Sequence, residues 1–133
     1  MKLAIGDNNR LKASDIEFKL TQPSYTVVTL AYLKEKYSDH EFVLIMGADN
    51  LKSFHKWKNY EAILRHHLLY VYPRPDNPTS IFDNHPQVKR VNAPLMQISS
   101  TEIRKAIHDK KDVRYYMPEA VWNYIKEMHF YEK

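Results

Sequence analysis

The stretch EFVLIMG, residues 41–47, decides the fold that this sequence predicts. It is a nearly continuous apolar run that ends in a glycine, which is typical of a strand buried on both faces of a parallel sheet. A second such run, HLLYVYPR, covers residues 67–74, and a shorter one, VKRVNA, covers residues 88–93. Helical patterns separate these runs. Strands that alternate with helices predict an α/β fold with a parallel sheet.

The predicted helices cover, in chain order and with approximate ends, residues 24–37, 49–54, 59–65, 99–108 and the segment after Pro118. Their predicted N-caps include Ser24 and Asp49, since Ser and Asp accept hydrogen bonds from the first turn of a helix. Upstream of them, the alternating stretch IEFKL, residues 16–20, predicts a short half-buried strand.

The composition limits the classes of protein. The chain has 133 residues, which suits one domain, and a formal net charge of +4 at pH 7. No apolar run approaches the ~18 residues of a membrane span. The absence of cysteine excludes thiolate catalysis and disulfides and suits a cytoplasmic protein. The basic balance fits anionic partners, although a solvated surface of mixed charge explains it equally well.

The stretch ISSTEIR, residues 98–104, has two interpretations. Ser99 as N-cap, with a glutamate three residues later, forms a capping box. That box leaves Ser100, Thr101 and Arg104 unexplained, and their spacing places them near one edge of the first turn. Free N–H groups and the helix dipole favour an anion there, and arginine fits phosphate oxygens. With only two glycines in the chain, no glycine-rich phosphate loop can be written instead.

ISSTEIR resembles the ISSTxxR motif of adenylyltransferases in the nucleotidylyl transferase superfamily, in which the hydroxyls and the arginine hold ATP phosphates. GADNLKSFHKW, residues 47–57, resembles the GxDxLxxFxxW segment of bacterial nicotinate-nucleotide adenylyltransferases. The second match is the more specific, because the first also fits pantetheine-phosphate adenylyltransferases. The resemblance implies a Rossmann-like fold and a reaction of ATP, with Mg²⁺, and nicotinate mononucleotide that forms deamido-NAD and pyrophosphate. It assigns the ATP phosphates to Ser99, Ser100, Thr101 and Arg104.

The same resemblance implies a binding site for nicotinate mononucleotide. Gly47 would let the backbone approach the ligand, and Asp49 would bond a ribose hydroxyl. Trp57 would stack on the pyridine ring, a flat aromatic group that suits an indole face. The segment PSYT matches the family segment whose helix start, near Tyr25 and Thr26, helps to bind the nicotinate end. A helix N-terminus is a sensible receptor for a carboxylate.

The family opens with a strand–turn–helix that carries GGxF[D/N]PxHxGH, and the 133 residues contain no such segment. In the family its histidines stabilise charge on the α-phosphate. The seven histidines of this chain show neither HxGH nor HxxxH spacing, so no catalytic residue and no metal ligand is assigned. We therefore expect a single domain, residues 1–133, that resembles roughly the C-terminal two-thirds of such an enzyme without the first strand–helix segment.

Two alternatives stay open at this point. One is a non-catalytic nucleotide-binding or interaction module derived from an adenylyltransferase. The other is a nucleic-acid binder, which only the pI of about 9.2 supports. No nucleic-acid motif is recognised, so neither nucleic acid nor membrane is an expected partner. A strand next to the absent one would have an unpaired edge, which predicts some tendency to form homo-oligomers.

The absent histidine motif generates a prediction about turnover. Loss of one well-placed electrostatic donor typically costs ~10²–10³ in rate, and several are absent together here. We expect negligible pyrophosphate release from ATP and nicotinate mononucleotide by the 133-residue chain, and activity once the family's opening segment is added upstream. Robust release by the chain alone, dependent on the mononucleotide, would contradict this expectation.

Overall fold

The structure is a computed structural model that describes residues 1–76 and 78–133. In chain order its regular elements are α1 (Lys2–Ile5), α2 (Thr26–Lys36), β1 (Leu44–Gly47), α3 (Ala48–Ser53), α4 (Tyr60–His66), β2 (Leu69–Tyr72), β3 (Val88–Arg90), α5 (Ser100–His108) and α6 (Glu119–Glu127). Short 3-10 helices lie at Ile16–Lys19, Phe54–Lys56 and Arg114–Tyr116. The strands form a parallel sheet in the order β1-β2-β3, which confirms the predicted α/β class.

The chain divides into two compact units. The sheet unit, Asp15–Gln97, contains the three strands together with α2, α3 and α4. The helical unit consists of Met1–Ser14 and Ile98–Lys133 and contains α1, α5 and α6. The single domain predicted over residues 1–133 stays a prediction, since this division does not test it.

The core of the sheet unit lies against one face of the sheet. Leu69 and Val71 of β2 point into it, and the intervening side chains are exposed. The other buried members of this core are Leu30, Met46, Ala48, Leu51, Phe54, Ile63, Leu64, Phe82 and Val88. The prediction that β1 is buried on both faces is wrong, because Ile45 is 69% exposed. Side chains alternate across a strand, and an apolar run alone does not show whether each face has a covering layer.

Three local predictions also need correction. The predicted strand at residues 16–20 is a 3-10 helix, Ile16–Lys19, in which only Ile16 is buried. A strand needs a neighbour to pair with, and the alternating pattern cannot supply one. The N-cap of α2 is Tyr25 rather than Ser24, and the N-cap of α3 is Gly47, with Asp49 in the first turn. In both cases the helix begins a residue or two away from the polar side chain that the pattern favoured.

The loop before β3 is held by the carboxylate of Asp83. It accepts hydrogen bonds from the backbone N–H of Ser80 at 2.9 Å and from Arg90 at 2.9 Å (Nε) and 2.7 Å (Nη2). Burial acts to raise the pKa of Asp83, but these hydrogen bonds and the Arg90 charge outweigh it, so the pKa lies below its ordinary value. The ionised carboxylate therefore stabilises the folded state above the unfolded pKa of ~3.9, and this contribution is lost as the pH falls.

We predict that Asp83→Asn lowers the free energy of unfolding by about 1 kcal/mol near neutral pH, through loss of charge-assisted hydrogen bonds. The difference from the parent chain should shrink as the pH falls below the ordinary aspartate pKa of ~3.9. Urea denaturation at several pH values measures it. Asp15→Asn, which removes the exposed pair of Asp15 with Lys19, is the control and should change stability little. A difference for Asp83→Asn that does not depend on pH would contradict the assignment.

Candidate active site

The carboxyl ends of β1 and β2 lie side by side, with Gly47 paired to Tyr72. Asp49 follows β1 in the first turn of α3, and Arg74 follows β2 by two residues. Their side chains form an ion pair, with 3.6 Å between Arg74 Nε and Asp49 Oδ1. The Asp49 side chain is 56% exposed, so its carboxylate can accept hydrogen bonds from a ligand. We call these four residues the strand-end site.

Gly47 is required at the strand-end site by space rather than by backbone conformation. Its φ of −78° is open to any residue. A Cβ at this position would collide with the Asp49 carboxylate and would lie 3.3 Å from both Arg74 Cδ and Tyr72 Cζ. The glycine therefore leaves the room in which the Asp49 and Arg74 side chains meet. Its predicted role, backbone approach to the ligand, stays a prediction.

Trp57 is half-buried and lies directly after the 3-10 helix Phe54–Lys56. Its ring packs edge-on against Phe54, with 5.2 Å between ring centroids. Phe54 is fully buried and also packs edge-on against Tyr60 and Phe82. The indole is thus anchored by the core on one side and accessible on another, which suits both a packing role and a stacking platform.

The start of α2 lies next to the residue that follows Trp57. Lys58 Nζ is 4.3 Å from the centroid of the Tyr25 ring, a distance at which an ammonium is attracted to an aromatic face. Tyr25 caps α2 without a side-chain hydrogen bond, and Thr26 is the first helical residue. The first turn of α2 therefore keeps free N–H groups that could donate hydrogen bonds to an anion.

The predicted capping box of α5 is confirmed. Ser99 Oγ accepts a hydrogen bond from the backbone N–H of Glu102 at 3.2 Å, and Glu102 Oε2 accepts one from the backbone N–H of Ser99 at 3.0 Å. Arg104 Nη2 donates to Thr101 Oγ1 at 3.3 Å, so these two side chains meet on one edge of the helix, as predicted. Ser100, Thr101 and Arg104 are all exposed.

The predicted site residues fall into both units. Tyr25, Thr26, Gly47, Asp49 and Trp57 belong to the sheet unit. The four residues assigned to ATP phosphates, Ser99, Ser100, Thr101 and Arg104, belong to the helical unit. In the part of the chain that the structure describes, no three His, Asp or Glu side chains are arranged to hold a metal ion. None of the described helices combines the length and apolar character needed to cross a membrane.

Two residues of the sheet unit, Arg74 and Lys58, were not predicted from the sequence. Arg74 ends the apolar run of residues 67–74, and Asp49 follows the apolar run of residues 41–47. Since both runs were predicted as parallel strands, the sequence could have placed Arg74 at the same edge of the sheet as Asp49. Lys58 had a weaker one, since a lysine directly after a tryptophan is an ordinary surface pattern. Its partner Tyr25 lies on a different helix, and only folding brings the two together.

Comparison with known proteins identifies the family. The family model described as cytidylyltransferase-like matches residues 1–106. A protein of Flavobacterium johnsoniae named "probable nicotinate-nucleotide adenylyltransferase" is 53% identical over 98% of this chain and 69% of its own length. One of the same name from Bacteroides thetaiotaomicron is 42% identical over 96% of this chain and 63% of its own length.

Solved structures show the same fold. Nicotinic acid mononucleotide adenylyltransferase of Plasmodium falciparum, in a complex with APC, superimposes with a TM-score of 0.69 at 20% identity, over 84% of this chain and 60% of that one. The complex of the same enzyme with NaAD gives a TM-score of 0.67 at 21% identity, over 82% of this chain and 58% of that one. These matches confirm the Rossmann-like nucleotidylyl transferase fold, and the closer relatives confirm the resemblance read from GADNLKSFHKW and ISSTEIR. The chain belongs to the nicotinate-nucleotide adenylyltransferase family, the nucleotidyltransferases of NAD biosynthesis.

Proposed function

We propose that this chain binds nicotinate mononucleotide through its sheet unit and the phosphates of ATP through α5, for a reaction that yields deamido-NAD and pyrophosphate. The contact between Lys58 and Tyr25 is the observation that carries the proposal. It places the start of α2 beside the residue that follows Trp57. The proposed aromatic platform and the proposed receptor for an anion would then be close in space, which would suit an aromatic ring that bears a carboxylate.

At the nicotinate end, the indole of Trp57 would stack on the pyridine ring. The ring carboxylate would face the Lys58 ammonium and the free N–H groups at the start of α2, near Tyr25 and Thr26. The aromatic ring of Tyr25 restrains the ammonium. This arrangement supports recognition of the acid, because a neutral amide on the same ring gains less from a positive charge.

At the ribose, the exposed carboxylate of Asp49 would accept hydrogen bonds from the sugar hydroxyls. Such bonds to an ionised acceptor are stronger than neutral ones, so they can fix the orientation of the sugar. Because Gly47 has no Cβ, the Asp49 carboxylate has room to lie beside it. The position of Asp49, at the carboxyl end of a parallel strand, is the usual place for a ligand in an open α/β sheet.

At the phosphates, the proposed group is Ser100, Thr101 and Arg104 near the start of α5, where Arg104 donates to Thr101. Their hydroxyls and guanidinium, with the N–H groups of the first turn of α5, would hold the outer phosphates of ATP. Ser99 would support this group by fixing the start of the helix, since its hydroxyl is engaged in the capping box. The phosphate of the mononucleotide would attack the α-phosphorus of ATP directly, with no covalent enzyme intermediate.

The contribution of these residues is positioning and charge stabilisation. Mg²⁺ would neutralise charge on the departing pyrophosphate. It would arrive together with the ATP phosphates. A cytoplasmic location and self-association stay predictions of the sequence.

Fluorescence tests the stacking platform. In a Trp122→Phe background, Trp57 is the only tryptophan, and nicotinate mononucleotide or deamido-NAD should quench its emission. Base-to-aromatic stacking is worth ~1–3 kcal/mol, so Trp57→Ala should weaken binding roughly ten- to a hundred-fold. Calorimetric titration measures the affinity, and thermal unfolding confirms that the variant folds. An unchanged affinity in folded Trp57→Ala would assign this residue a packing role alone.

A pair of substitutions in α5 separates capping from phosphate binding. Ser99→Ala should lower the free energy of unfolding by ~1 kcal/mol through loss of the cap. Arg104→Ala should leave stability nearly unchanged and weaken ATP binding far more than adenosine binding. Lys105→Ala, which removes an exposed positive charge from the next position, should have little effect on either ligand. If Arg104→Ala unfolds the chain, or affects ATP and adenosine equally, the phosphate assignment is wrong.

A further inference from the structure

We propose that Arg74 is a positioning residue for ribose recognition. Its guanidinium holds the Asp49 carboxylate in the orientation that accepts the ribose hydroxyls of the mononucleotide, and it balances the charge of that carboxylate. The inference rests on the proposed function, specifically on the ribose role of Asp49. No sequence motif assigns a role to Arg74.

The first support is the way in which the Arg74 side chain is fixed. A Cβ on Gly47 would lie 3.3 Å from Arg74 Cδ, so the stem of this arginine packs closely over the glycine. The Arg74 side chain is only 31% exposed, whereas arginine side chains are mostly exposed. A restrained stem leaves the guanidinium few orientations. The side chain therefore loses its conformational entropy when the protein folds, and little more is lost when the ligand binds.

The second support is that Asp49 and Arg74 pair only with each other among the described side chains. The Asp49 carboxylate is exposed in the first turn of a short helix, and Arg74 supplies the charge that favours the rotamer in which it points toward the guanidinium. Arg74 therefore helps to set where this acceptor points.

The third support is the length and chemistry of the contact. At 3.6 Å between Nε and Oδ1, the pair attracts by charge but is longer than a hydrogen bond. The carboxylate lone pairs stay free for ligand hydroxyls while the positive charge remains close. This balance matters because the mononucleotide carries a phosphate and a carboxylate, and an uncompensated Asp49 would repel both.

Calorimetric titrations test the inference with two ligands, nicotinate mononucleotide and its analogue that lacks both ribose hydroxyls. The proteins are the parent chain, Asp49→Asn, Arg74→Gln and the double variant. The parent should prefer the hydroxylated ligand by roughly ten- to a hundred-fold, as expected for hydrogen bonds to a charged acceptor. Arg74→Gln should remove most of this preference and should add little in the Asp49→Asn background, because the two residues act as one unit.

Two further variants complete the design. Lys19→Gln removes the positive partner of another exposed ion pair in the sheet unit and should leave both affinities unchanged. Arg74→Lys keeps a charge without the planar fork, so it should retain part of the preference. This variant also tests the inference if Arg74→Gln does not fold, since a full parental preference with lysine would overturn the need for the guanidinium.

The outcomes separate the inference from the function on which it rests. If Arg74→Gln weakens both ligands equally, Arg74 contacts another part of the ligand, and the positioning role is overturned. If the losses of binding free energy in Arg74→Gln and Asp49→Asn add fully in the double variant, while the parent prefers the hydroxylated ligand, only the inference fails. If the parent shows no preference, or Asp49→Asn retains it, the ribose role of Asp49 fails and the inference fails with it.

Discussion

The parallel pairing of β1 with β2 is the constraint on which the strand-end site depends. The register that sets Gly47 opposite Tyr72 brings the residues beyond both strands to the same edge of the sheet. Asp49 and Arg74 each lie two residues past their strand, so the pairing brings them close together. A shift of one residue would turn Arg74 to the other face of the sheet and separate the pair.

The second determinant is the anchoring of Trp57 on the core. Phe54 is fully buried and packs edge-on against three aromatic neighbours, one of which is Trp57. A platform for stacking must be rigid before the ligand arrives, since ordering it on binding would reduce affinity. The core supplies that rigidity, and the turn after the 3-10 helix Phe54–Lys56 leaves part of the indole accessible. The contact that packs Trp57 on the core would therefore also serve the proposed recognition.

The proposed sites for anionic groups and for the sugar differ in their charge. Arg74, Lys58 and Arg104 each stand beside a group that restrains them: a carboxylate, an aromatic ring and a hydroxyl. A restrained cation binds an anion with less loss of side-chain entropy than a free one. The Arg74 charge is also offset by Asp49, which fits a site for a neutral sugar, whereas Lys58 and Arg104 have no acidic partner in the part of the chain that the structure describes.

The sequence by itself determined the features that depend on neighbours a few residues apart. It predicted the α/β class, most of the helices and the capping box of Ser99, because these follow from apolar spacing and from hydrogen bonds within one turn. It also predicted ligand-binding roles for Asp49 and Trp57 through a resemblance carried by a short segment. Only the tertiary structure showed that residues 16–20 form no strand and that Ile45 lies exposed. It alone joined Asp49 to Arg74 and Tyr25 to Lys58, since those contacts depend on how separate elements pack, and no local pattern records which side chains will meet.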